Sequence, residues 1–124
     1  MANEIKISLS ITAEKNGAKY TRQETFLDDM SGDAWVTGVQ QVDSSNEDII
    51  THENIANYGW IFVKNLGTDS SLYVDIQHSQ NDSDDNLCRL YGGESSIFKS
   101  SGLTALWADS SSGTQAVEYA IIEL

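Results

Sequence analysis

From Tyr58 to Ile76 two β-rich runs flank a polar, glycine-containing segment, and this stretch constrains the fold more than any other. It predicts a β-hairpin. Trp60 and Phe62 alternate with Ile61 and Val63, so the first arm is apolar on both faces and is expected to be covered twice. In the second arm Leu72, Val74 and Ile76 share one face while Tyr73, Asp75 and Gln77 share the other, as on a half-exposed strand.

The remaining chain repeats this grammar. Ile5, Ile7, Leu9 and Ile11 alternate with Lys6, Ser8 and Ser10, which predicts an amphipathic first strand over 5–11. Asn16-Gly17 predicts a turn, and residues 18–27 a polar-faced strand. After a break at 28–33, residues 35–42 are again β-rich, with Gly38 marking a bulge or a close backbone approach. Residues 43–57 read as loop around the apolar pair Ile49-Ile50, because no stripe at helical spacing persists there. Further strands are expected at 87–91, 95–99, 103–109 and 115–123, separated by Gly- and Ser-rich turns.

Eight to ten short strands and no long helix predict an all-β fold, a single antiparallel β-sandwich domain over 1–124 with a jelly-roll-like arrangement preferred. A chain of 124 residues can bury a real core. It contains no proline, so its edge strands lack one common protection, and charged edges or an oligomeric interface are expected to cover them.

Nineteen acidic against seven basic residues give a formal charge of −12, which repels phosphate backbones and anionic membranes. Neither nucleic acid nor membrane is an expected partner, and a basic protein surface would suit better. No run approaches the roughly 20 apolar residues of a membrane span. Met1 to Glu4 leads directly into the alternating strand without a basic segment and an apolar run, so synthesis in a cytosol is expected. Cys88 has no second cysteine to pair with and reads as a buried or half-buried thiol.

Catalytic patterns are incomplete. Gly93-Glu94-Ser95-Ser96 ends in Ile97 where a nucleophile elbow needs glycine. His52 and His78 lie far apart, and His52-Glu53 does not continue into a zinc-binding motif, so both read as surface or structural histidines. Asp82, Asp84 and Asp85 resemble the start of a calcium loop, but Leu87 stands at the glycine position and Gly93 at that of the bidentate glutamate. A solvated turn is the preferred reading, with an irregular calcium site as the alternative; no cofactor is expected. Trp60 and Trp107 read as core, whereas Trp35 could pack or stack on a sugar.

Four segments carry a resemblance: Gly59-Trp60-Ile61-Phe62-Val63-Lys64-Asn65-Leu66, Leu72-Tyr73-Val74-Asp75-Ile76, Leu90-Tyr91-Gly92-Gly93-Glu94-Ser95 and Val117-Glu118-Tyr119-Ala120-Ile121-Ile122-Glu123. Together with the alternating first strand, this pattern resembles small virion structural proteins of tailed bacteriophages. The resemblance implies a non-enzymatic, jelly-roll-like protein on the phage particle surface, made in the bacterial cytoplasm. Its role would be capsid decoration, cement or a head-fibre base, its partner the major capsid protein or another virion protein, and its state a symmetric oligomer, with a trimer favoured. No catalytic residues carry over. Ile5, Ile7 and Leu9 on the first strand and Tyr20 and Arg22 on the second are the expected interface residues. The alternative is a tail-associated receptor- or glycan-binding module, with Trp35 as the ligand contact.

Overall fold

The computed structural model of the chain describes residues 4–30, 34–44, 48–50, 55, 57–78, 86–103 and 105–123. The described secondary structure is all β and all strand pairing is antiparallel. The chain forms two compact units, Met1–Ser31 and Gly32–Leu124.

The first unit is a hairpin of β1 (Ile5–Lys15) and β2 (Ala18–Asp28). Both strands run eleven residues, so β1 continues past the Ile11 expected from alternation alone. Asn16 at φ 53° and Gly17 at φ 84° form its two-residue turn. Asn and Gly tolerate this left-handed backbone, and the twist of such a turn matches that of the strands it joins. The register runs unbroken from Lys15↔Ala18 to Ile5↔Asp28.

The second unit holds β3 (Trp35–Val42), β4 (Asp48–Ile50), β5 (Tyr58–Asn65), β6 (Tyr73–Gln77), β7 (Asn86–Tyr91), β8 (Ser95–Leu103), β9 (Leu106–Ser110) and β10 (Gln115–Glu123). They form two four-stranded sheets, in the orders β3-β10-β5-β8 and β4-β9-β6-β7. Val42, Ile61, Val63, Val117 and Ile121 from the first sheet join Ile50, Val74, Ile76, Leu90, Leu106 and Ala108 from the second in one hydrophobic cluster. This is a β-sandwich, whose two inner faces exclude water from a shared core.

The segment 58–76 is not a hairpin. β5 pairs with β10 and β8, whereas β6 pairs with β7 and β9, so the connection crosses from one sheet to the other. The end of β5 is held by other partners: the Asn65 N–H donates to the Glu94 carbonyl at 2.9 Å and the Leu66 N–H to Ala116 at 2.8 Å. Double coverage of β5 holds for Trp60, which is only 6% exposed although it faces away from Ile61 and Val63. The expected strand 103–109 is also corrected: Leu103 ends β8, and β9 begins at Leu106. Trp107, expected in the core, is half-buried, because it alternates with the buried Leu106 and Ala108 and so lies on the outer face. Gly38 marks a close approach: a Cβ there would lie 2.9 Å from the Tyr119 hydroxyl oxygen.

Candidate interaction surface

The hairpin register decides which side chains share a face. Residues directly opposite in an antiparallel pair point the same way, so Ile5, Ile7, Leu9, Ile11 and Ala13 of β1 stand beside Asp28, Phe26, Glu24, Arg22 and Tyr20 of β2. The opposite face carries Lys6 with Leu27, Ser8 with Thr25, Ser10 with Gln23, Thr12 with Thr21 and Glu14 with Lys19. One face is thus an apolar lane flanked by a mixed lane; the other is largely polar.

All five interface residues expected from sequence, Ile5, Ile7, Leu9, Tyr20 and Arg22, fall on that one face. Ile5 is buried and Ile7 half-buried, while Leu9, Ile11, Tyr20 and Phe26 are 37%, 54%, 55% and 38% exposed. Within the mixed lane the Arg22 guanidinium donates to the Glu24 carboxylate through Nε at 2.8 Å and also through Nη2. Leu9, Ile11, Tyr20 and Phe26 are the exposed large apolar side chains of this face, while Leu27, 53% exposed, stands on the other. The hairpin also differs in charge from the whole chain. Its strands carry Lys6, Lys15, Lys19 and Arg22 against Glu14, Glu24 and Asp28, a net of about +1 by the usual side-chain pKa values, where the chain as a whole is −12.

Ile11, which alternation places on the apolar face of the first strand, and Phe26 belong to this surface but are not among the interface residues expected from sequence. The signal was present: a turn at Asn16-Gly17 fixes the register, which sets Ile11 opposite Arg22 and Phe26 opposite Ile7.

Trp35 lies on β3 in the second unit, 68% exposed, on the same outer face as Thr37, Val39 and Gln41. It pairs with Ile122 of β10, which in turn pairs with Trp60 of β5. The Lys99 ammonium stands 5.9 Å from the Trp60 ring centroid. The outer face of the other sheet carries a second cluster. Arg89 forks onto Asp75 at 2.7 and 3.0 Å, its guanidinium carbon sits 3.9 Å from the Tyr73 ring centroid, and Tyr73 meets Tyr91 edge-on at 5.3 Å. A bidentate ion pair stacked on an aromatic ring holds β6 and β7 in register.

Burial, with the Asp75 charge added, pushes the Cys88 thiol up to about 11, against a smaller lowering by a Ser96 hydrogen bond. At neutral pH this sulfur is a protonated, unreactive group. His78 is exposed just beyond β6. His52 and the carboxylates of Asp82, Asp84 and Asp85 lie outside the described residues. Among the described residues no three His, Cys, Asp or Glu side chains gather as a metal site, and no helix is long and apolar enough to cross a membrane.

The end of the sandwich near Asn65 is built for rigidity. Asn65 is fully buried; its Nδ2 donates to the Leu90 carbonyl at 3.0 Å, its Oδ1 accepts from the Gly67 N–H at 2.8 Å, and its own carbonyl accepts from the Gly93 N–H at 2.9 Å. Asp69 accepts from the Ser71 hydroxyl and N–H, which lowers its pKa.

No protein-family model, curated protein or solved structure matches the chain.

Proposed function

We propose that the chain is a non-enzymatic structural protein of a tailed-phage particle, bound to the capsid exterior as a decoration, cement or head-fibre-anchoring protein and assembled as a symmetric oligomer. The observation that carries this reading is the β1–β2 hairpin. It extends eleven residue pairs from a two-residue turn and leaves Leu9, Ile11, Tyr20 and Phe26 exposed on one face. A two-stranded ribbon is marginal in water by itself, and coverage of this face by another protein surface would stabilise it.

The sandwich in this proposal is a jelly roll. Its strand order supports that: β3 pairs with β10, β4 with β9, β5 with β8 and β6 with β7, as when one long hairpin is rolled into two sheets. Quantitative mass spectrometry of particles of the encoding phage tests the reading. A ratio to the major capsid protein near the capsid lattice's own multiplicity is expected, and absence from purified particles would refute the reading.

The 68% exposure of Trp35 favours a second reading, a tail-associated receptor- or glycan-binding module. Saturable binding on a glycan array, lost in Trp35→Ala and coupled with only a few copies per particle, would replace the first reading with this one.

A further inference from the structure

We infer that the β1–β2 hairpin binds a second copy of itself face to face, through a two-fold axis that crosses the strands at the Ser10–Gln23 pair. The inference rests on the assembly reading and names the partner of its hairpin surface, yet the two can fail separately.

The register sets what such a dimer would bring together. A two-fold axis lying in the interface and perpendicular to the strands sets β1 over β1 and β2 over β2 with their directions reversed, and each residue pair before the axis meets one after it. With the axis at Ser10 and Gln23, which are paired, Leu9 opposes the second copy's Ile11 and Ile7 opposes its Ala13. On the other strand Arg22 opposes the second copy's Glu24, and Phe26 opposes its Tyr20. Every opposition occurs twice. Two apolar pairs and one aromatic pair are formed and Arg22 meets Glu24, while Lys15 stands over the second copy's Ile5, beside its Asp28, and Asp28 stands over its Ala18. Moving the axis by one pair, to Leu9 and Glu24, would set Glu24 against Glu24 and Arg22 against Phe26. The charge pattern therefore disfavours that one-pair shift, and like-charge juxtaposition is one way an isologous interface excludes a wrong alignment.

The exposure agrees. Leu9, Ile11, Tyr20 and Phe26 are 37%, 54%, 55% and 38% exposed, so all four have apolar surface left to bury against a second copy. Charge favours the same element. Two chains of −12 repel each other, and a hairpin with four basic and three acidic residues is where the copies approach at least electrostatic cost. Packing of two such ribbons at a small angle is the ordinary aligned arrangement of β-sheets.

The test is the mass of the full-length chain in solution, measured by sedimentation equilibrium across concentration, with charge-reversal variants. Wild type is expected to be a dimer. Arg22→Glu sets a new carboxylate against Glu24 of the second copy, and Glu24→Arg sets two guanidinium groups together, so each variant alone should raise the dimer dissociation constant at least tenfold. Ile11→Lys should do the same without reversing a charge. Mixing Arg22→Glu with Glu24→Arg places opposite charges across the axis at both sites, and heterodimers should return at near wild-type affinity. Circular dichroism and thermal unfolding of each variant confirm that the fold persists, and Leu27→Lys, on the polar face, should leave the dimer intact. A monomeric or trimeric wild type, a dimer indifferent to Arg22→Glu and Ile11→Lys, or a mixture that stays monomeric would overturn the inference. A monomer still found on phage particles would refute the dimer and the oligomeric part of the proposed function, and leave binding to the particle standing.

Discussion

Replacing the buried Asn65 by alanine should produce a large loss of stability in the sandwich. Asn65 ends β5 in one sheet, and its amide reaches the carbonyl of Leu90 on β7 in the other, while its side-chain oxygen holds the Gly67 N–H that starts the crossing. Alanine leaves a buried carbonyl and a part-buried N–H without partners. At about 1–3 kcal/mol for each unsatisfied group the loss is about 3 kcal/mol in total. For a unit of this size that lowers Tm by about 12–24 °C. In urea, with an m value near 1 kcal/mol/M, the midpoint should fall by about 3 M with m unchanged. Tryptophan fluorescence follows the transition, and the exposed Ser70→Ala serves as a control expected within about 0.5 kcal/mol of wild type. A loss below about 1 kcal/mol for Asn65→Ala would refute the idea that this side chain ties the sheets together.

Gly92→Ala should destabilise by more than about 2 kcal/mol, because its Cβ would lie 2.6 Å from the Asp69 carbonyl oxygen and 2.8 Å from that of Gly67, both backbone atoms; chemical denaturation measures it. Cys88 should lower stability as pH rises. Its folded pKa of about 11 exceeds the ordinary 9.0, so the folded chain binds the proton more tightly, the contribution is intact below pH 9, and it is lost between about pH 9 and 11. The fall in Tm over that window should be shallower in Cys88→Ala, and iodoacetamide should label the native thiol more slowly than a free cysteine at about pH 8. Trp35, 68% exposed against 6% for Trp60, should supply most of the acrylamide-quenchable fluorescence, and Trp35→Phe should remove that component.

Alternation carried most of the fold. The runs around Ile5 and Val74 announce strands by their two-residue period, that around Ile61 by a short continuous apolar stretch and those around Trp35 and Val117 by β-rich composition, with turns of Gly, Asn, Asp or Ser between them. The pairing around Asn65 was not legible. A polar segment with glycine between two β-rich runs fits a hairpin and a crossing between sheets equally well, and only the long-range partners of Asn65 and Leu66 distinguish them. The short strand β4 (Asp48–Ile50) escaped for a related reason: three residues give too little period, and its extended shape comes from pairing with β9. On the candidate surface, the opening alternation together with the Asn16-Gly17 turn contained the whole face, since such a turn fixes the opposing residues up to Ile5↔Asp28. The exposure of Trp35 was undecidable, because it begins an edge strand of the sheet, and nothing local says whether a neighbour covers it.

The place of β10 in its sheet has a consequence for how the protein comes to exist. Of the eight sandwich strands it leaves the ribosome last, yet it sits between β3 and β5 and pairs with both. Until it emerges those two strands lack their shared neighbour. Closure of the sheet is then a late insertion between strands made much earlier, with the high sequence separation that slows folding. A stalled or prematurely ended chain would keep an open seam in the middle of the sheet, where strangers can pair.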